Sequence, residues 1–407
     1  MKKAELLAPA GNFSKFLTAL RFGADAVYIG GKNFSLRALS ENFSREEMEK
    51  ALQIAHERGK KVYVTVNIFA RNADLMPAAD YFRFLENVGA DAAIITDPGL
   101  IAVAKDAAPS LAIHLSTQAN TLNWRAVKFW TEQGVKRVIL ARELSLAEIA
   151  EIREKVPESV ELEAFVHGAM CISYSGRCLL SNYLNGRDSN RGECVQACRW
   201  SFDLREHSKD GDYLTAEEDA RGTYILNSKD LNMISHLGEL ISSGVCSLKI
   251  EGRMKSEYYL ATVINAYRRA LDDYYENGVS YAKNPLYESE LKNPAHRAFT
   301  TAYMLGDNAG TVNYSNSQSQ GNASFIATVE GYDEREGYAL VEMRNRFSEG
   351  DVLEVLSPDE NFLKTVKVGR MESESGERVT DAKLVQQKIK LFTDVKMSAG
   401  DFLRRAK

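Results

Sequence analysis

Residues 62–97 read VYVTVNIFARNADLMPAADYFRFLENVGADAAIITD. A β-branched apolar run over 62–67 ends in Asn67, an amphipathic stretch follows, and a second apolar run over 93–97 ends in Asp97. Apolar strands alternating with amphipathic helices mark a parallel sheet covered on both faces. The same kind of run recurs at 5–9, 26–30, 113–118, 138–142 and 162–167. Two later runs, 224–227 and 247–251, bring the candidates to nine, one more than an eight-stranded barrel needs. The pattern predicts a TIM-like (β/α) barrel in preference to an open doubly wound sheet. The APAG of residues 8–11, which follows the first run, lacks the G-x-G-x-x-G of a dinucleotide turn.

Local signals agree. Ser44 before Glu46 and Glu47 predicts a capped helix over 45–58, with Gly59 as its stop. Ser145 with Glu148 fits a capping box. The rhythm breaks between Gly168 and Gly222, where four cysteines are followed by a charged, loop-like stretch at 206–221. Residues 255–276 read as one long helix, and NYSNSQSQGN at 313–322 as a linker. Short runs at 325–329, 338–343, 352–356 and 365–368 then predict a small all-β barrel. The expected division is a barrel domain at 1–276 with a metal-binding insertion at 169–222, an extension and linker at 277–322, and a β domain at 323–407.

The 407 residues carry 51 Lys+Arg against 56 Asp+Glu, a net charge of −5, with 44% hydrophobic and 26% charged residues. That is globular composition and excludes collagen-like, disordered or disulfide-dense classes. No apolar run nears the roughly 20 residues that span a bilayer. Lys2 and Lys3 are followed by Glu5 and Pro9 rather than by a signal core. A cytoplasmic protein with no membrane partner is expected. Net charge also argues against general electrostatic RNA binding, since residues 323–407 hold 14 basic and 16 acidic side chains. RNA contact would have to come from patches such as Arg177, Arg187, Arg191 and Arg199, or Lys249, Arg253 and Lys255.

Four of the five cysteines, Cys171, Cys178, Cys194 and Cys198, fall within 28 residues rich in Gly, Asn and Arg. Scattered buried thiols are the bland reading, and the clustering argues against it. Soft thiolates favour zinc or iron–sulfur over magnesium or calcium, and this spacing is not that of a zinc ribbon. An iron–sulfur cluster is the preferred expectation, with zinc as the alternative. Cys246 reads as a packed core thiol.

In barrels of this class the chemistry gathers where strands end. The polar residues read at those positions include Glu5, Tyr28, Asn67, Asp97, Gln118, Arg142, Glu163, His167, Asn227, Lys249, Glu251 and Arg253. Some would be helix caps or local ion pairs. As a set they suggest a pocket for an anionic, oxygen-rich small molecule. His167 stands close before Cys171, so the ring adjoins the thiols.

The run at 163–181, EAFVHGAMCISYSGRCLLS, resembles the signature of the collagenase-like peptidase family, the thirty-second of the unassigned peptidase families. NSKDL at 227–231 and SLKIEGRMKS at 247–256 agree with it. GECVQACRW at 192–200 and NWRAVKFWTEQGVKRVILARE at 123–143 look most like its prephenate-dependent tRNA hydroxylation branch. The resemblance implies formation of 5-hydroxyuridine at the tRNA wobble position, with prephenate as co-substrate and a [4Fe–4S] cluster held by Cys171, Cys178, Cys194 and Cys198. The implied partners are the tRNA anticodon loop and the iron–sulfur assembly machinery. Arg142, Lys249 or Arg253 would meet prephenate carboxylates, and Tyr174 or Trp200 would stack on the splayed base. Glu163, His167 and Glu251 are the candidates for proton transfer, with Glu5, Tyr28, Asn67, Gln118 and Asn227 completing the substrate site. The rival readings are a peptidase, for which no H-E-x-x-H or G-x-S-x-G is present, hydroxylation of another RNA or of a small-molecule substrate, and a non-catalytic RNA-binding protein.

Overall fold

A computed structural model describes residues 3–35, 41–175, 177–200, 227–278, 284–306, 311–312 and 319–407. The chain divides into two compact units. One comprises 1–16, 25–254 and 297–319; the other comprises 17–24, 255–296 and 320–407.

The first unit is built on a barrel. Its strands are β1 (Glu5–Pro9), β2 (Ala26–Gly30), β3 (Lys61–Val66), β4 (Ala92–Ile95), β5 (Ile113–Leu115), β6 (Arg137–Ile139), β7 (Glu161–Ala169) and, after the accessory β8 (Asp230–Asn232), β9 (Ser247–Ile250). The parallel pairing runs in order from β1 to β7, and β9 pairs with both β7 and β1, which closes eight parallel strands on themselves. Closure leaves no free edge, and every residue of β2 and five of six in β3 are buried. The expected TIM-like barrel is therefore present. Of the candidate run at 224–227, residues 224–226 lie outside the described residues, as does the 206–221 stretch. The short β8 instead runs antiparallel to the end of β7.

The capping signals act as read. Ser44 caps helix Arg45–Glu57 in a full capping box with Glu47, and Ser145 with Glu148 does the same for Leu146–Lys155. Gly59 takes φ +65° just past the first of these helices. Asp97, one of the strand-end polar residues, is a helix cap, accepting the Leu100 N–H.

In the second unit, eight short strands form one antiparallel sheet among the described residues. Ala323–Asp333 pairs with Tyr338–Met343 on one side and with Phe402–Ala406 on the other. Val352–Leu356 lies against the outer side of Phe402–Ala406. The inner face buries Ile326, Val341, Leu353, Val355, Ile389, Leu391 and Leu403. The long helix spans Glu257–Asn277 and groups with this sheet rather than with the barrel. The unit boundaries thus differ from a cut at 276 and 323. Phe22 stacks on Phe402 at 5.8 Å, Arg21 bonds Asp401, and the buried Arg404 is held by both oxygens of Glu290 at 2.7 and 2.8 Å.

Candidate active site

A parallel barrel sends alternate residues inward, so strand phase decides which polar groups meet in its interior. They fall into two layers. At the N-terminal end of the strands, Glu5 opens β1 and bonds Tyr63 at 2.7 Å, Arg137 at 2.6 Å and Ser247 at 3.0 Å. Arg137 also pairs with Glu161 at 2.7 Å and Glu163 at 3.0 Å, and Glu163 pairs with Lys249 at 2.9 Å. Burial alone would raise the Glu163 carboxyl, but Lys249 and Arg137 outweigh it and hold it below its usual range. His114 lies edge-on to Tyr63 at 4.6 Å, and burial, with Arg137 and Lys249 nearby, pushes its pKa well down, so it stays neutral.

Above this network the C-terminal ends of the strands enclose a cavity of about 200 Å³. Tyr28, Asn67, Gln118, Arg142, Lys249, Glu251 and Arg253 line it, together with all four clustered cysteines, Cys171, Cys178, Cys194 and Cys198. Lys249 bridges the layers, with its ammonium on Glu163 and 4.4 Å from the Tyr28 ring centre. The Tyr28 hydroxyl donates to the Ile250 carbonyl at 3.0 Å and stands 3.3 Å from the Glu251 carboxylate.

Two arginines on the wall are buried. Arg142 donates to Ser175 Oγ at 3.1 Å and the Ala169 carbonyl at 2.9 Å, and lies 5.1 Å from the Phe165 ring centre. No carboxylate lies within ion-pair distance of it among the described residues. The neighbouring Glu143 carboxyl feels the Arg142 charge without forming an ion pair, and a buried guanidinium hydrogen-bonded to neutral groups can still receive an anion. Arg253 donates to Ser35 Oγ at 2.8 Å and Asn42 Oδ1 at 2.5 Å. Gly30 makes room for it, since a Cβ there would collide with the guanidinium.

The cysteine segment hangs from the end of β7. Gly168 turns it at φ +106°, where a Cβ would collide with the Glu251 carbonyl oxygen. Arg191 then ties the segment to the barrel, with two bonds to Asp74 at 2.9 and 3.1 Å and one to the Phe69 carbonyl at 3.1 Å. None of the five cysteines is in a disulfide. The Leu180 N–H donates to Cys178 Sγ at 3.4 Å, and the Ser181 hydroxyl to Cys194 Sγ at 3.8 Å. Burial raises the Cys198 thiol, and Cys171, Cys194 and Cys178 push the same way. Among the described residues, no three His, Cys, Asp or Glu side chains are spaced to chelate a single ion. The fit to a metal group therefore rests on donor chemistry: four soft thiols facing one cavity, two of them accepting hydrogen bonds.

Four expected site residues lie elsewhere. Glu5 begins its strand, so its carboxylate belongs to the lower layer. Glu163 also sits there, fully buried and engaged by Arg137, Lys249 and Ser247. His167 is displaced by a bulge between Phe165 and itself. Phe165 aligns with inward-facing Lys249, while His167 aligns with outward-facing Ile250 and packs 5.6 Å from the Phe299 ring. Asn227 is buried against Arg297, which donates to it at 3.2 Å. The expected surface patch also changes character: Lys249 and Arg253 are buried cavity walls. Ser175, Ser116, Thr65 and Asn190 line the cavity without having stood out in the sequence, being small polar residues in ordinary strand-end and loop positions.

A model of the peptidase U32 family matches residues 11–313, and one of the family's C-terminal domain matches 321–404. The chain is 40% identical to tRNA hydroxylation protein P1 of Bacillus subtilis, over 100% of this chain and 96% of that one. It is 41% identical to tRNA hydroxylation protein P of Escherichia coli, over 93% and 91%. It is also 36% identical to the 23S rRNA 5-hydroxycytidine C2501 synthase of Escherichia coli, over 66% and 39%.

Proposed function

The chain belongs to peptidase family U32, and from that premise we propose that it is a cytoplasmic RNA hydroxylase, acting on the wobble uridine of tRNA to make 5-hydroxyuridine with prephenate as co-substrate. The observation that carries this reading is the convergence of four thiols and a polar, cationic wall on one cavity at the C-terminal end of the barrel. Relatives named as tRNA and rRNA hydroxylation proteins support it.

Cys171, Cys178, Cys194 and Cys198 would hold a [4Fe–4S] cluster, delivered by the iron–sulfur assembly machinery. When bound, the cluster would supply one-electron chemistry beside the substrate. The chain's own residues bind and orient. Arg142, buried and hydrogen-bonded to neutral groups, is the first choice for a prephenate carboxylate, with Arg253 beside the same cavity. Of the three proton-transfer candidates, Glu251 alone lines the cavity, within reach of the Tyr28 hydroxyl. An anticodon base must leave its stack to enter. Tyr174 and Trp200, both half-exposed on the cysteine segment, offer rings on which neighbouring bases can stack.

A thiol peptidase would need a base beside its cysteine, and the sequence neighbour His167 faces away from the cavity, against Phe299.

The test has two arms. Anaerobically purified protein is assayed for iron and sulfide, and 5-hydroxyuridine is measured in tRNA from cells carrying Cys194→Ala or Arg253→Ala. The modification is expected to disappear in both, with iron lost only in the first. Normal 5-hydroxyuridine in both variants would overturn the reading.

A further inference from the structure

Two polar atoms on the cavity wall are buried and have no hydrogen-bond partner among the described residues: Nε2 of Gln118, a donor, and Oδ1 of Asn190, an acceptor. Gln118 is only 4% exposed. It sits on a single turn, Thr117–Ala119, capped by Ser116 at the end of β5. Its amide oxygen is engaged at the other end. Oε1 accepts from Asn67 Nδ2 at 2.8 Å and Ser116 Oγ at 3.0 Å, with Thr96 Oγ1 at 3.4 Å. With Asn67 donating as it does, turning the Gln118 amide over would set its NH₂ against the Asn67 NH₂. Three groups thus hold the amide oxygen of a residue that lines the cavity, and its NH₂ is left unmatched among the described residues. Unmatched buried donors are rare because they are costly, and a ligand acceptor removes the cost.

Asn190 holds the complementary group. Its main chain is fixed by Asp188, which accepts its N–H at 2.9 Å, and by the Phe69 N–H, which donates to its carbonyl. Its side-chain oxygen is left to accept from whatever fills the cavity.

Resting on the reading that a nucleobase enters this cavity, we infer that Gln118 and Asn190 select uracil over cytosine. Uracil presents a carbonyl oxygen beside its N3–H, an acceptor next to a donor. Gln118 Nε2 donates to the carbonyl and Asn190 Oδ1 accepts the N3–H. At the same edge, that of C4 and N3, cytosine presents an amino group beside an unprotonated N3, so both contacts become donor against donor and acceptor against acceptor. A site built to pair with a polar edge rejects the mismatched edge more strongly than an apolar pocket could.

Two isosteric substitutions carry opposite expectations. Gln118→Glu turns the donor into an acceptor, whereas Asn190→Asp keeps an acceptor. Gln118→Met removes the donor without adding charge. Anticodon stem–loops differing only in U or C at the wobble position are titrated against the holoprotein under anaerobic conditions. The unsubstituted protein is expected to prefer U by about tenfold or more, the effect of one well-made buried hydrogen bond. Gln118→Met and Gln118→Glu should erase that preference, and Asn190→Asp should retain it. Retention of the full preference by both Gln118 variants overturns the inference. Equal binding of U and C by the unsubstituted protein overturns it too, while leaving the proposed function standing. Failure to bind either stem–loop removes the nucleobase reading itself.

Discussion

Glu163→Gln separates a structural carboxylate from a catalytic one. Glu163 is fully buried and takes bonds from Lys249 at 2.9 Å, Arg137 at 3.0 Å and Ser247 at 3.1 Å. Glutamine of the same shape keeps one oxygen and points an NH₂ at a cation. Arg137 retains Glu5 and Glu161. Lys249 has no second carboxylate within ion-pair distance among the described residues, only the Tyr28 and Phe165 rings at 4.4 and 5.5 Å. Breaking a buried pair by removing one partner costs about 3–5 kcal/mol, and the depth of both groups favours the upper half of that range. The Glu163 carboxyl titrates below its ordinary 4.5 in the folded state, so this stability is complete above pH 4.5 and fades as acid protonates the folded carboxylate. Equilibrium denaturation at pH 7 should therefore show a loss of about 4 kcal/mol, shrinking below pH 4.5. Adding Lys249→Met should recover much of it, because an uncharged pair leaves no buried ion unmatched. A loss below about 1 kcal/mol at pH 7, or a double variant as unstable as the sum of the singles, would refute the two-layer account of the barrel interior.

Two other outcomes are expected. His114 is buried and neutral, with its pKa pushed well below the ordinary 6.5, so the unfolded chain binds a proton there that the folded chain refuses. Stability should fall by roughly 1.3 kcal/mol between pH 7 and 5.5 on this account, and His114→Gln should flatten that slope, as read by urea denaturation at both values. Arg191→Ala removes the clasp on Asp74, whose carboxyl is held low first by its hydrogen bond from Arg191. The side chain is partly exposed, so the global cost should be only about 1 kcal/mol. Limited proteolysis should nonetheless cut faster within residues 171–200; unchanged cleavage would show that the clasp does not order the segment.

The barrel was legible because most strands carry a short β-branched, largely apolar run and several helices announce their first turns, as at Ser44 and Ser145. The thiols were legible from density alone, with four in 28 residues. What a sequence cannot display is phase. Glu5 and Glu163 look like strand-end polar residues, yet their places along β1 and β7 put them in the lower layer. His167 would have joined the cavity had the alternation of β7 continued; one bulge turned it outward. The cradle of Arg253 draws on Ser35 and Asn42, more than 200 positions away, and on a missing side chain at Gly30. The grouping of helix Glu257–Asn277 with the C-terminal sheet is likewise a long-range fact with no local signature.

The interleaving of the second unit sets a timetable. Arg21 and Asp401 are partners separated by 380 positions. At a synthesis rate of roughly 5–20 residues per second, residues 17–24 wait about 20–75 seconds for the segment that covers them. Phe22 spends that interval without its stacking partner Phe402. The last of those residues, Phe402–Ala406, do not trail at a margin; they slot between Ala323–Asp333 and Val352–Leu356. A ribosome that stops a few codons short of them would release a chain with a gap in the middle of its sheet, and a helix turn at the far N-terminal side left holding an apolar ring out for a partner never made.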